Sequence, residues 1–435
     1  MEDAWPLIFT YLSPREILKC ERVCREWRIR SQFALLQLRD VDFETDFPGA
    51  IVDSARLERI LRSYGRRLRR VTFRVTPQNE KYAVFASEHH LTRNVVDALI
   101  STSTHLQSIV VDRMIITIGA IEAFSRLPHT LEEFAISNCR MSCSTAEVNE
   151  IVQTSLCHLL STCSKLKCFK ITGRGWIFDH FVLDQSMLLL LPVSIRDLTI
   201  SAGRSLKITN LNFLKGKRLK SLALQRSLVS SADLTELLGM ASSLTTLDLT
   251  SCMNIANASV LGKLYNLRCL YLGNNRELSD DSLLCVCCGC SRLQRLALDN
   301  CSLLSSNSLR SLERLFELEW LWLAGIGGDN DFERLFELEW LWLAGIGGVN
   351  DFVLQGLSNC RQLQMLDIKF CRNVTEVGLI IVLNFPMLYR LEVRGIRAYS
   401  KELLRYAERI PETILSDSTD ANLFTAVPIR SAVIS

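Results

Sequence analysis

Residues 264–275 read LYNLRCLYLGNN and residues 290–301 read CSRLQRLALDNC. Aligned on Leu267 and Leu293, both carry leucine at relative positions one, four and six: Leu267, Leu270 and Leu272, then Leu293, Leu296 and Leu298. Positions four and six alternate with a period of two, the mark of a short strand with one apolar face. Residues 280–288, which follow the first stretch, space their apolar residues as a helix does. One strand and one helix make a coil that cannot bury its own inward face. Neighbouring coils must therefore stack, each inward leucine contributing roughly 1.5–3 kcal/mol over exposure.

The trio recurs about every 25 residues. Clear copies start at Leu219, Leu244, Leu318, Leu363 and Leu388, and weaker ones at Leu68, Leu106, Leu131, Leu166 and Ile195. Three residues past position six stands Cys139, Cys252, Asn275, Cys301 or Cys371. A small polar side chain there is expected to satisfy backbone groups as the chain turns inward. Cys163, Cys290 and Cys360 precede a first-position leucine, and Leu278-Ser279-Asp280 follows a turn. These signatures resemble the leucine-rich repeat in its cysteine-containing form, over residues 68–400 and twelve or thirteen turns. The resemblance implies an α/β solenoid, a horseshoe with parallel strands on its concave face and helices on its convex face.

Residues 313–332 and 333–352 match at 19 of 20 positions, differing only at Asp329 and Val349. First-position leucines fall 25 apart from Leu293 to Leu318, 20 apart to Leu338, and 25 apart again to Leu363. Removing one copy restores the even period. The pair is expected to record a recent tandem duplication or a sequence-assembly error rather than a selected element, and to add one shortened turn.

The first 31 residues, MEDAWPLIFTYLSPREILKCERVCREWRIRS, lead with no strand. Trp5, Ile8, Phe9 and Leu12 have helical spacing; Ser13 caps a second helix with Pro14 at its first position and Ile17 and Leu18 following; Val23, Cys24 and Trp27 make a third face. Three apolar faces in about thirty residues are too few for an independent core, so part of that surface is expected to meet another protein. Ile8-Phe9, Leu12-Ser13-Pro14, Ile17-Leu18 and Val23-Cys24-x-x-Trp27 resemble the F-box, with Trp5 at an apolar position of its first helix. The Leu-Pro that opens the F-box pattern has no counterpart before Glu2, the expectation being a start within the motif. The whole resembles F-box and leucine-rich-repeat substrate receptors. That resemblance implies docking of Trp5, Ile8, Phe9, Leu12, Pro14, Ile17, Leu18, Val23, Cys24 and Trp27 on a Skp adaptor, a cullin held through it, and a protein substrate on the repeats. The expected organisation is an F-box over 1–32, a helical linker and cap over 33–66, a solenoid over 67–410 and a tail over 411–435.

Across 435 residues, 50 basic side chains face 47 acidic ones, a net +3 that excludes a polyelectrolyte binder of nucleic acid. Apolar runs such as residues 320–328 reach about nine residues, against the roughly 18–20 that span a bilayer. Neither a membrane span nor a cleavable leader is expected. Sixteen cysteines in this length fall below the density of a secreted scaffold, so reduced thiols in the cytosol or nucleus are expected. Cys285, Cys287, Cys288 and Cys290 lack a second CxxC, so buried repeat cysteines are expected there rather than zinc ligands. The six histidines have no partner at ligand or triad spacing, and neither a cofactor nor a catalytic residue is expected. Eight arginines crowd residues 56–74, either on the solvent side of the linker or against an acidic partner.

Residues between and just after the inward leucines are expected to face the concave surface. They supply Tyr271, Trp320, Trp322 and Phe370, with Trp340 and Trp342 from the duplicated turn, and the charges of Arg226, Arg295, Lys369, Arg390 and Arg394. Aromatic and arginine side chains carry interface energy out of proportion to their number, so these mark the expected substrate surface. The competing reading is tryptophan stacked on tryptophan to cover adjacent coils. The rival function is an adaptor-independent repeat scaffold or inhibitor.

Overall fold

Every coil begins with one buried leucine or its equivalent, and in the computed structural model these residues align into rows. The structure describes residues 4–47, 53–75, 89–142, 146–172, 185–201, 208–252, 254–305, 309–325, 335–396, 410 and 412–414. The chain divides into two units, Met1–Ser227 and Leu228–Ser435.

The first unit opens with helices α1 (Ala4–Thr10), α2 (Pro14–Cys20) and α3 (Arg25–Leu35). Strands β1 (Asp40–Asp42), β2 (Arg70–Arg74), β3 (Ser108–Asp112), β4 (Glu133–Ser137), β5 (Cys168–Thr172), β6 (Asp197–Ser201) and β7 (Ser221–Leu224) follow. Each pairs in parallel with the next, so that Val41, Val71, Ile109, Phe134, Phe169, Leu198 and Leu222 form one row. All seven are buried. Helices α4 (Ser54–Tyr64), α5 (Arg93–Thr102), α6 (Ile118–Phe124) and α7 (Ala146–Thr162) return the chain and pack side by side.

In the second unit β8 (Thr246–Asp248), β9 (Cys269–Tyr271), β10 (Arg295–Ala297), β11 (Trp320–Trp322), β12 (Trp340–Trp342), β13 (Met365–Asp367), β14 (Arg390–Glu392) and β15 (Glu412–Ile414) make a second parallel ladder. Its inward row runs through Leu247, Leu270, Leu296, Leu321, Leu341, Leu366 and Leu391, each 2% exposed or less. Return elements differ from coil to coil. The 26-residue step from Leu267 to Leu293 holds the ten-residue helix α8 (Asp280–Gly289), whereas the 23-residue step from Leu244 to Leu267 holds only the 3-10 turn Ser259–Lys263. Ser279 caps α8 by accepting from the Ser282 N–H, which explains the Leu-Ser-Asp signature. Helices α9 (Asp351–Gly356) and α10 (Glu376–Leu383) are capped likewise by Asn350 and Thr375.

The expected polar turn residue does what its position requires. Asn275 Nδ2 donates to the carbonyls of Leu249 and Leu272 at 3.0 and 2.8 Å. Cys139, Cys301 and Cys371 donate from Sγ to Val111, Leu272 and Leu343, the position-six carbonyls of the preceding coils, at 3.2–3.4 Å. Burial pushes the Cys139 and Cys301 thiols up to about 12, which keeps the donating proton in place. One residue earlier the backbone is left-handed in coil after coil, as at Asn138, Asn274, Asn300, Gly345 and Gly395.

Three expectations need correcting. The linker is not wholly helical, because Asp40–Asp42 forms the first rung, with Val41 and then Phe43 turned inward against Val71 and Phe73. The tail is not free from residue 411, because Glu412–Ile414 pairs with β14 as a final rung. Not all four clustered cysteines are buried: Cys287 and Cys290 are, while Cys285 and Cys288 lie on the exposed side of α8. Both copies of the duplicated stretch enter the ladder, with Trp320, Leu321 and Trp322 opposite Trp340, Leu341 and Trp342. The short return expected between them, residues 326–334, lies outside the described residues.

Replacing Asn275 by alanine strips the Leu249 carbonyl of its side-chain donor, leaves the Leu272 carbonyl only the Cys301 thiol, and is expected to cost about 1–3 kcal/mol. Asn275→Cys should recover part of that loss, since cysteine fills the site in neighbouring coils. Urea midpoints of the three proteins measure this, and an alanine variant as stable as the parent would refute the assigned role.

Candidate interaction surfaces

Helix α2 begins with a reciprocal cap. The Ser13 N–H donates to Glu16 Oε2 at 2.9 Å, the Glu16 N–H donates to Ser13 Oγ at 3.4 Å, and Pro14 occupies the first turn. The bond from Ser13 lowers the Glu16 pKa. The candidate adaptor residues separate by burial. Phe9 and Ile17 point inward, with Phe9 edge-on to Trp27 at 6.0 Å. Leu12, Pro14, Leu18 and Trp27 are half-buried, and Ile8, Val23 and Cys24 are exposed. Trp5 lies in α1, its side chain outside the described set. Four exposed apolar residues were not singled out: Leu7 on α1 and Tyr11 in the turn after it, and Ile29 and Phe33 on α3. Each pair is spaced i, i+4, a signal that was present in the sequence. Between α1 and α3 a cleft of about 450 Å³ is lined by Phe9, Leu12, Ile17, Phe33 and Leu38.

The second surface lies on the outward positions of the second ladder. Tyr271 stands edge-on to Trp320 at 6.0 Å, Trp320 meets Trp342 at 4.8 Å, and Trp342 contacts Trp322 and Trp340, both at 6.0 Å. Trp340 continues edge-on to Tyr389 at 6.1 Å. The indoles thus both stack between coils and present a surface, with Trp322 the most exposed at 38%. A cleft of about 310 Å³ opens among Trp322, Trp340, Trp342, Met365, Asp367 and Lys369. Arg295 is exposed and interacts with the Tyr271 hydroxyl, whose pKa burial raises. Phe370 is also exposed, in a left-handed conformation at φ +60°, its ring lying over Gly395, where a Cβ would come within 2.4 Å of Phe370 Cδ1. Arg394 is exposed on the next coil.

Lys369 and Arg390 do not offer the free charge expected of them. Lys369 Nζ bridges Asp367 at 2.9 Å and Glu392 at 2.8 Å, and Arg390 holds Glu392 at 2.7 Å. Asp367 and Glu392 are both buried, and sequence reasoning passed over them. Burial raises the Asp367 pKa against the opposing bonds from Lys369. Burial pushes Glu392 the same way, but Lys369 and Arg390 together outweigh it and leave Glu392 below its ordinary value.

Residues 3–31 match the F-box-like family model. The chain joins an F-box-like segment to leucine-rich repeats. No curated protein matches it in sequence. Among solved structures, a chain of the yeast Rad7 and Elc1 complex aligns over 92% of this chain and 90% of its own, at 15% identity and a TM-score of 0.50. An internalin, InlF, from Listeria monocytogenes aligns over 83% and 89%, at 15% identity and a TM-score of 0.49. The LRR ectodomain of the receptor kinase GASSHO1/SCHENGEN3 from Arabidopsis thaliana aligns over 77% and 42%, at 16% identity and a TM-score of 0.44. The yeast likeness bears on the fold alone.

Elsewhere on the F-box-like and repeat elements, the arginines of residues 56–74 all face solvent. Arg62 pairs with Glu58 at 2.9 Å, and Arg74 pairs with Asp42 and Glu44. Among the described residues no group of three or more His, Cys, Asp or Glu could hold a metal ion, and no helix is long and apolar enough to cross a membrane.

The opposite shifts of the two carboxylates make a pH test. A carboxyl with a lowered pKa in the fold contributes stability above its ordinary 4.5 and loses it as the pH falls through the folded value. Glu392→Gln should therefore cost about 2 kcal/mol at pH 7, where it removes the carboxylate that Lys369 and Arg390 share and leaves Lys369 paired with Asp367. That cost should shrink steadily below pH 4.5. Chemical unfolding of parent and variant across that range measures it, and a cost independent of pH would contradict the assigned ion pairs.

Proposed function

We propose that the chain is a non-catalytic substrate receptor of a Skp–cullin–F-box ubiquitin ligase, acting in the cytosol or nucleus. The F-box-like helices bind the Skp adaptor, the adaptor holds the cullin, and the outward face of the repeats binds a protein to be ubiquitinated. The observation that carries this reading is the pairing of two surfaces in one chain: three short helices that leave Leu7, Ile8, Tyr11 and Val23 exposed, and a repeat ladder whose outward positions gather four indoles. Small helices with this much exposed apolar surface gain stability by covering it with a partner. The yeast chain of like fold comes from a complex of two proteins, Rad7 and Elc1. The receptor's contribution to the chemistry is proximity, raising the effective concentration of substrate lysines near a thioester carried elsewhere.

Burial divides the candidate adaptor residues into two kinds, and a mutation pair separates them. Ile8→Asp with Val23→Asp changes only exposed side chains, so thermal melting should match the parent while capture of the purified Skp adaptor falls at least ~10-fold. Phe9→Ala should instead lower stability by about 3 kcal/mol. Deleting residues 1–32 should abolish capture. Undiminished capture by the double variant would remove the F-box-like helices as the docking surface, and no capture by the parent would make the chain an adaptor-independent scaffold.

A further inference from the structure

The two nearly identical rungs supply Trp322, Trp340 and Trp342 to one side of the cleft, whose other side is Met365, Asp367, Lys369, Arg390 and Glu392, and the same two rungs carry carboxylates beside their indoles. Each copy contributes the sequence FELEWLW, so Glu317 and Glu319 precede Trp320, and Glu337 and Glu339 precede Trp340. Glu317 and Glu337 are exposed, and Glu319 and Glu339 are half-exposed. Among the described residues none of the four forms an ion pair, in contrast to Asp367 and Glu392 on the following rungs. The Glu339 N–H donates to the Glu319 carbonyl at 2.8 Å, which fixes the two as neighbours across the ladder. Like charges directly opposite each other are unfavourable. Among the described residues these adjacent carboxylates thus have no counter-ion, along the edge of an indole surface whose π-faces attract cations. Phe316 and Phe336, 67% and 53% exposed, extend the apolar part of that edge. Arg295 lies opposite Trp320 on the preceding rung, and Arg390 lies two rungs beyond Trp340.

We propose that this two-rung face binds an arginine-bearing segment of the partner protein, its guanidinium groups stacking on the tryptophans and pairing with Glu317, Glu319, Glu337 and Glu339. Arginine fits better than lysine because its planar group stacks on an indole and bonds a carboxylate in the same pose. The proposal rests on the receptor reading, since it names the substrate class of the same repeat face. It also gives the doubled stretch a role: with one copy removed, a single Trp-x-Trp rung and a single pair of carboxylates remain.

The test uses the full chain and two flexible Gly-Ser peptides of equal length, one carrying arginines and the other glutamates at the same places. Binding is followed by calorimetry and by indole fluorescence. The arginine peptide should bind in a salt-dependent way, and the glutamate peptide should bind at least ~10-fold more weakly. Converting all four glutamates to glutamine touches no ion pair, and should weaken the arginine peptide about tenfold while thermal melting stays at the parent value. Trp322→Ala should weaken it without the salt dependence changing, and deletion of residues 333–352 should weaken it while leaving a cooperative melt. No binding of the arginine peptide, equal binding of both peptides, or unchanged binding by the four-glutamine variant would each overturn the proposal. Adaptor capture measured on the same proteins keeps the two readings apart: a four-glutamine variant that still captures the adaptor shows failure of this face alone, and a parent that binds the arginine peptide but no adaptor refutes the receptor reading alone.

Discussion

The burial of one leucine against the next coil's leucine is the interaction on which every other feature depends. A coil of about 25 residues has one strand, and its inward side chains have nothing beneath them but the returning helix of the same coil. Leu270 becomes fully buried because Leu247 and Leu296 flank it in register. That requirement makes the strands parallel, fixes position four opposite position four, and turns positions three and five to the other face. The aromatic surface follows from the same rule. Trp320 and Trp322 bracket Leu321, and burial of that leucine is what holds the two indoles outward.

A second constraint acts where each strand ends. The chain must turn inward immediately, which places a residue in left-handed backbone and buries carbonyls that no ladder satisfies. Glycine or asparagine meets the first demand at most coils, and cysteine or asparagine meets the second. Phe370 takes the left-handed place instead, with the Gly395 backbone leaving room for its ring. An aromatic side chain thus stands at a position of intrinsic backbone strain, next in sequence to Lys369 of the Lys369–Glu392 ion pair.

Periodic features were legible in the sequence because repetition averages out local ambiguity. The leucine trios, the Ser13 cap and the polar turn residues were read from spacing and found in place, with Glu16 as the cap's partner shown only by the structure. Features that occur once were not. Asp40–Asp42 has only three residues, two of them acidic, and becomes a strand because β2 supplies a free edge. Phe9 and Ile8 are adjacent on a seven-residue helix with apolar residues on more than one face, so no period decides which one turns inward. The Lys369–Asp367–Glu392–Arg390 network lay within reach of the repeat register, since aligned coils put Asp367 and Glu392 at the same position. It was missed because the cations were weighed as contacts for a partner before their neighbours across the rung were considered.

The near-identical coils show what stacking in register does to each kind of side chain. When one rung repeats its neighbour, every outward residue meets its own copy about 4.8 Å away. For leucine this is the ordinary packing of the row, and for tryptophan it joins two rungs into one aromatic surface, as at Trp320, Trp322 and Trp342. For glutamate it places charge against like charge. Elsewhere in this ladder a buried carboxylate is answered by a cation on an adjacent position, as Lys369 answers Asp367 and Glu392. Duplication copies a rung without copying any adjustment of its neighbours. Among the described residues Glu319 and Glu339 have no cation opposite them, the direct electrostatic consequence of setting two alike coils side by side, and the repetition that widens the indole surface also gives it its negative edge.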